Sequence, residues 1–282
     1  MEPEARRGLT RLVVPAALGV AVLWAVGPLI WTVLTSVKQP VDVFSLKVIP
    51  FLQFQPTLMH WQEELTSRGP ELRGAMGTST LVAVLSSLLA LALATPAAYA
   101  VARLSNDRQK RFWWLWLISQ RFLPPVVLLA PYFLMFKTLG LLDTPLALIL
   151  VHAAMNAPFA ALILQDLFAD LPAELEEAAR VDGASTWVAF HRVVLPVALP
   201  GLAAAAVLCM AFSWNEFLFA LTLSYHHAVT MPVLIAGTEH TQGIQFWYVA
   251  TRSLLALGPP AVLALVAQRW LVRGLTLGAV KG

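Results

Sequence analysis

Residues 166–192 read DLFADLPAELEEAARVDGASTWVAFHR and stand between two apolar runs, residues 144–165 and 193–223. Eight charged side chains in this stretch are too many for hydrocarbon, so it lies outside the membrane if its neighbours lie within. Its pattern predicts a helix, a bend and a second helix. Asp170 is placed to cap the first helix, Pro172 fits its first turn, and Glu174, Glu176 and Glu177 sit toward the N-terminal end, where the helix dipole favours negative charge. Leu171, Leu175, Ala178 and Ala179 fall near one face at three- and four-residue spacing. Gly183 is the expected stop, because it enters the left-handed backbone region cheaply. A second helix from about Ala184 brings Trp187 and Phe190 together before Pro196 and Pro200 open the next apolar run. On these residues alone two readings stand: a helix built to seat in a groove on a partner, or a surface helix that only links two spans.

The surrounding chain is strongly apolar. Of 282 residues, 59% are hydrophobic and 12% charged, and the mean hydropathy is +0.72. Soluble domains carry roughly a quarter charged residues, so the composition indicates a membrane protein. The net charge is only +3, and no basic block is interleaved with aromatics, which excludes a nucleic-acid groove. Cys209 is the one cysteine and lies in an apolar run, so there is neither a disulfide framework nor a cysteine-based metal site.

A helix needs about 20 residues to cross the hydrocarbon core. Residues 12–37 are uncharged, carry Trp24 and Trp31 and outrun a signal peptide, so they read as a retained helix. Further spans are expected at 75–102, at 112–136 with Arg121 and the pair Pro124 and Pro125 inside, at 144–165, and at 193–223 running past Glu216. The last, 252–270, contains Gly258, Pro259 and Pro260, where a kinked or partly unwound helix is expected. The expectation is an all-α integral membrane protein, one transmembrane domain over residues 1–282 with six transmembrane helices and an exposed loop at 166–192.

Orientation follows from lysine and arginine, which are in excess on the cytoplasmic side. Arg6, Arg7, Arg11, Arg103, Arg108, Lys110, Arg111, Arg180, Arg192, Arg269, Arg273 and Lys281 fall on one side, against Lys38, Lys47, Arg68, Arg73 and Lys137 on the other. Both termini and the loop are therefore expected in the cytoplasm. Residues 38–73 are then external, broken into short turns by Pro40, Pro50, Pro56 and Pro70.

Glu177, Ala178, Ala179, Asp182, Gly183 and Ala184, followed by Phe190, Leu195, Pro196 and Pro200, resemble in type and spacing the EAA loop of binding-protein-dependent ABC importer permeases. Gly140, Leu141, Leu142, Asp143 and Thr144 resemble the GLLDT turn of the carbohydrate branch, and Ser213, Trp214, Asn215, Glu216 and Phe217 its SWNEF stretch. The ending Gly274 to Gly282 is similar to the tail of the second, maltose-type permease of that branch. One departure is Gly77, Thr78, Ser79 and Thr80, where the family often has an Asn-Ser-Thr run. The resemblance covers nearly the whole chain and implies a type I ABC importer permease fold in the bacterial cytoplasmic membrane. It also implies a second homologous permease, two ATP-binding subunits that hold ATP and magnesium, and an extracytoplasmic solute-binding protein that delivers a sugar. Glu177, Ala178, Ala179, Asp182, Gly183 and Ala184 would then couple the chain to the ATPase. No GxxxxGK[ST] phosphate loop occurs in the sequence, so hydrolysis is assigned to another chain and the protein is not read as an enzyme.

Ionisable and amide groups within the apolar runs mark a cavity, a partner or one another. Trp214, Asn215 and Glu216 could offer a sugar an aromatic platform with polar groups beside it, or could lock this helix to the partner permease. Asn156 has the same two readings, with Pro158 freeing a carbonyl it might bond. Arg121 reads first as structural, snorkelling to a boundary, and second as a pore or subunit contact. His152 reads as a core residue, and His226, His227 and His240 lack the spacing of a metal site. Glu176, Glu177 and Arg180 are similar to the double-glutamate-and-arginine signature of prenyl-protein proteases, but the arginine is one residue too close and no histidines converge. A secondary transporter of small solutes is the stronger rival. Broken spans suit it, although it would usually show an internal repeat and needs no docking loop.

Overall fold

The computed structural model describes the backbone of residues 3–237, 239–240 and 243–277 and the side chains of residues 13–237 and 243–268. The side chains of Arg6, Arg7, Arg11, His240, Arg269, Arg273 and Lys281 and the tail from 278 to 282 lie outside the described residues. The helices are α1 (Pro3–Ser36), α2 (Met59–Leu65), α3 (Gly69–Tyr99), α4 (Asp107–Phe122), α5 (Pro125–Thr138), α6 (Pro145–Asp170), α7 (Glu174–Val181), α8 (Thr186–Ala189), α9 (Leu195–Trp214), α10 (Leu218–Leu223), α11 (Met231–Ala236) and α12 (Phe246–Leu277). Two five-residue π turns, Ala100–Leu104 and Phe190–Val194, extend α3 and lead into α9. A two-stranded antiparallel hairpin pairs β1 (Glu239–His240) with β2 (Gly243–Ile244).

Among the described residues, five helical stretches are long and apolar enough to cross a membrane: Val13–Ser36, Gly69–Leu104, Pro145–Asp170, Thr186–Trp214 and Phe246–Gln268. The pair α4 and α5 supplies a sixth apolar segment, bent by 88°. The sequence reads residues 112–136 as one span, and the bend arises at its two prolines. Pro124 disfavours helical backbone at Leu123, which is extended at φ −73°, ψ 119°, and Pro125 takes the first position of α5, where its missing N–H costs nothing. The run 193–223 is likewise two helices, since α9 stops at Trp214 and α10 begins at Leu218. Of the kinked or partly unwound helix expected at 252–270, the unwinding is absent, since α12 stays helical through Gly258, Pro259 and Pro260. Adjacent prolines remove two neighbouring rungs of the hydrogen-bond ladder, and the turns on either side carry the helix across.

The chain divides into two compact units, residues 1–72 with 235–256 and residues 73–234 with 257–282. In the first, Arg252 is 3% exposed and donates from Nε to Oε1 of fully buried Glu64 at 3.0 Å. Tyr248 donates to Glu63 beside it, and the Arg68 guanidinium lies 4.1 Å over the Tyr248 ring. Lys38 is also fully buried; its ammonium donates to Ser45 O at 3.2 Å and lies 4.7 Å from the Trp31 ring. In the second unit, α6 packs on α9 through small residues, Ala160 and Ala161 on one helix and Gly201, Ala204 and Ala205 on the other. A Cβ at Gly201 would lie 2.4 Å from Leu167 Cδ2, so a larger residue there would require the Leu167 side chain to move.

Asp143 closes this second unit at the α5–α6 turn. It holds φ 58°, and its own N–H donates to Leu223 O at 2.8 Å. Its Oδ1 accepts from the backbone N–H groups of Tyr225 at 2.8 Å, His226 and His227 at 3.0 Å and Ala228 at 3.3 Å. Burial acts to raise the pKa of this carboxyl, but the four amide donors outweigh it and lower the value to about 2 from the ordinary 3.8. The folded value lies below the unfolded one, so this stabilisation is complete above about pH 4 and is lost as pH falls toward about 2. Thermal unfolding of the detergent-solubilised protein should therefore show a wild-type advantage over Asp143→Asn that is constant above about pH 5 and shrinks between about pH 4 and 2. Parallel pH profiles for the two proteins would show that the clamp carries no charge-dependent stability.

Candidate functional site

Helix α6 runs past Gln165 to Asp170 and stops because Pro172 holds Leu171 extended, at φ −70°, ψ 142°. The next helix starts only at Glu174, with Ala173 at its cap. Asp170 is thus the last residue of α6 rather than the cap of α7, and Leu171 precedes α7 and packs on the core instead of joining its stripe. At the other end Gly183 has φ +86°. Its N–H donates to Arg180 O at 3.0 Å and that of Ala184 to Ala179 O at 2.9 Å, the two bonds that close a helix with a left-handed residue. The Ser185 hydroxyl then accepts from Val188 N to cap α8, and the Trp187 and Phe190 rings meet at 5.8 Å, as the sequence predicts.

Helix α7 buries a charge and exposes apolar groups. Glu176 is 4% exposed, whereas Leu175 is 39% and Val181 87% exposed. Glu177, Ala178, Asp182 and Gly183 are exposed as well, and Ala179 and Ala184 are half-buried. The cause lies at the end of α3. The Tyr99 hydroxyl donates to Glu176 Oε2 at 2.7 Å. Arg103 Nε lies 3.1 Å from Glu176 Oε1, an ion pair whose N–H direction is off the hydrogen-bond line. Arg103 also donates from Nη2 to Leu171 O, and Arg180 Nη2 lies 3.6 Å from Glu176 Oε2. The Tyr99 ring sits 4.6 Å from Phe190 and 5.8 Å from Phe168. An unpaired buried carboxylate would cost several kcal/mol, so this set fixes the rotation of α7 and hence which side chains face out. The outward band is Leu175, Ala178, Val181, Asp182 and Gly183, flanked by Glu177. Sequence reasoning singled out Glu177 and passed over Glu176, Tyr99 and Arg103; the one local hint was that Glu176 falls on the opposite side of the helical wheel from Ala178 and Val181.

The polar residues of the spans separate into occupied and open groups. Glu216 Oε1 accepts from Phe219 N at 2.8 Å, and its Oε2 accepts from Ala220 N at 3.1 Å and lies 3.1 Å from His152 Nε2. This carboxylate caps α10 where the helix has been interrupted. Asn156 Nδ2 donates to Ser213 Oγ at 2.9 Å and Cys209 O at 3.3 Å, joining α6 to α9 rather than meeting a carbonyl freed by Pro158. Ser213 in turn shares a 2.8 Å hydrogen bond with Ser86 of α3. Trp214 is only 8% exposed, while Asn215 is exposed and donates to Ala211 O at 2.8 Å. Trp214, Asn215 and Glu216 therefore do not form one open platform. Arg121, exposed in the last turn of α4, lies 5.2 Å from the Phe159 ring and 5.8 Å from the Phe212 ring. It borders a cavity of about 200 Å³ in the bend, lined also by Gln120, Tyr132, Met155 and Pro158. Among the described residues, no three His, Cys, Asp or Glu converge as a metal set.

Residues 67–277 match the family of binding-protein-dependent transport system inner membrane components. The probable ABC transporter permease protein y4oR of Sinorhizobium fredii is 34% identical over 254 residues, 90% of each chain. The trehalose transport system permease protein SugB of Mycobacterium tuberculosis is 34% identical over 264 residues, 92% of this chain and 93% of its own. The trehalose/maltose transport system permease protein MalG of Thermococcus litoralis is 30% identical over 258 residues, 90% and 91%. A chain from the crystal structure of a bacterial ABC transporter involved in the import of the acidic polysaccharide alginate superposes with a TM-score of 0.76, covering 95% of this chain and 98% of that one at 20% identity, which is a likeness of fold. An apolar helical chain with a helix-glycine-helix loop between two of its spans, matched over this length, belongs to the binding-protein-dependent transport family as a multi-pass inner-membrane permease subunit of the ABC importer type.

Proposed function

We propose that this chain forms half of the translocation pathway of an ATP-driven sugar importer, beside a second homologous permease, and that the outward band of α7 seats in a groove on an ATP-binding subunit. The observation that carries the reading is the inversion of α7, with Glu176 turned inward and Leu175, Val181 and the small residue Ala178 turned out. That is the pattern of a helix whose apolar side awaits a partner. Glu177, Ala178, Ala179, Asp182, Gly183 and Ala184 couple the chain to this ATPase, two copies of which bind ATP and magnesium, and an extracytoplasmic solute-binding protein delivers the sugar. Both termini and α7 face the cytoplasm, and α1, with almost no side chain buried over Val13–Ser36, faces lipid or the partner permease. Relatives named for trehalose and for trehalose and maltose support a sugar as the solute. Within the pathway Arg121 and Asn215 are open polar groups, while Asn156 and Glu216 hold the spans to one another and Trp214 is buried at the end of α9. Driving by an ion gradient is the rival mechanism, and no observation favours it.

Three experiments test this reading. A side chain forced into the left-handed region costs roughly 1–2 kcal/mol, so Gly183→Val should reorient the α7 band and lose the ATPase on co-purification. Glu177→Ala keeps the bend, and should retain ATPase while supporting poor uptake in reconstituted vesicles. Wild-type ATPase stoichiometry and uptake in Gly183→Val would remove α7 from the coupling path. For topology, a cysteine at Arg68 should react with a membrane-impermeant maleimide in intact cells and one at Glu177 should not; the reverse pattern would invert the orientation. For the pathway, Arg121→Gln should raise the KM for uptake of trehalose or maltose, whichever is carried, by about tenfold or more, the loss of one charged hydrogen bond, with ATPase content unchanged. An unchanged KM would place Arg121 off the solute path.

A further inference from the structure

The loop ends of α3 and α9 each carry a π turn, and both turns feed one buried junction. Arg103 comes from Ala100–Leu104 and Phe190 from Phe190–Val194, with Tyr99 between them and Phe168 of α6 alongside. Into this junction α7 inserts one carboxylate, Glu176, which Tyr99 and Arg103 hold at 2.7 and 3.1 Å. The other exit from α7 is different in kind. It passes through Gly183, whose backbone at φ +86° turns the chain and where an added Cβ would meet nothing within 4 Å.

We propose that Glu176 is a positioning residue that fastens α7 to the loop end of α3 through Arg103 and Tyr99, so that α7 and this end of the second span move as one body. This rests on the coupling reading above and adds to it a second route for the motion: through side chains into α3, as well as through the glycine bend into α9. A buried ion pair suits the first route, because separating it leaves a charge without compensation, whereas a solvated contact would slip. The π turns suit it as well, since their widened rungs let the ends of α3 and α9 adjust without breaking the spans.

The test places spin labels at Ala173→Cys and Leu104→Cys, in the complex with its ATPase, and reads their separation by electron paramagnetic resonance in the nucleotide-free and the ATP–vanadate-trapped states. The one native thiol, Cys209, is fully buried. In the otherwise wild-type chain the distance distribution should be narrow and the same in both states. In Glu176→Gln, and independently in Arg103→Gln, it should broaden and shift on trapping, while Arg103→Lys, which keeps the charge, should restore most of the narrow distribution. A second pair, Ala173→Cys with Thr186→Cys, spans the glycine bend and should remain unchanged in the Gln variants. The proposal is overturned if the first distance changes between states without any further substitution, if neither Gln variant alters it, or if both pairs broaden together, which would mean only that the loop has lost its fold. Failure of the ATPase to co-purify with the wild-type chain would instead refute the coupling reading, and the first pair measured without ATPase would still decide whether the tie is rigid.

Discussion

Hydrocarbon offers a backbone no water, so every N–H and C=O within the spans must be satisfied by the chain itself. Continuous helices meet this condition without help, and each interruption has to be closed by a group that replaces the missing rungs. At the break after Trp214 the Glu216 carboxylate takes the amides of Phe219 and Ala220. At the turn after α5 the Asp143 carboxylate gathers four amides from the segment after α10. Outside the spans the same kind of closure recurs at the end of α7, where the two bonds around Gly183 finish the helix. The bend between α4 and α5 differs, because Pro124 and Pro125 have no N–H to satisfy, and the space that opens there is the cavity beside Arg121.

The same constraint explains why carboxylates that look free in the sequence are spent in the fold. Glu216 sits in a run that suggests a solute-facing acceptor, yet an acid within a span is stable only where donors surround it, and the nearest donors are the exposed amides of the helix it precedes. Glu176 follows the same logic at the loop. Its four-residue spacing to Arg180 would give a weak surface pair, whereas Tyr99 and Arg103 make it an internal fastening. Buried pairing also organises the first unit, where Arg252 and Glu64 meet within a cluster that includes Tyr248 and Arg68.

For the coupling reading, this means that the face α7 offers a partner is defined from behind. The outward band has few specific contacts of its own, and its orientation is inherited from Glu176 and from the stop at Gly183. A shallow apolar band can be matched by a groove without strong local chemistry when the helix behind it is held rigidly.

By itself the sequence determined the class, the approximate spans and the loop, because these depend on hydropathy and helical period, which are local sums over neighbouring residues. It also determined the bend at Gly183, since the backbone conformation there is a property of one residue type. Only the tertiary structure decided which glutamate of the pair at 176 and 177 is buried, that Asp170 ends one helix rather than starting the next, that Asn156 reaches across to α9, and that Glu216 caps α10 with His152 beside it. Each of these outcomes depends on partners 50 or more residues away or on where the preceding helix stops: Tyr99 and Glu176 are 77 positions apart, Asn156 and Ser213 57. A hydrogen bond between such residues is set by how the spans pack, and no local pattern in the chain encodes that distance.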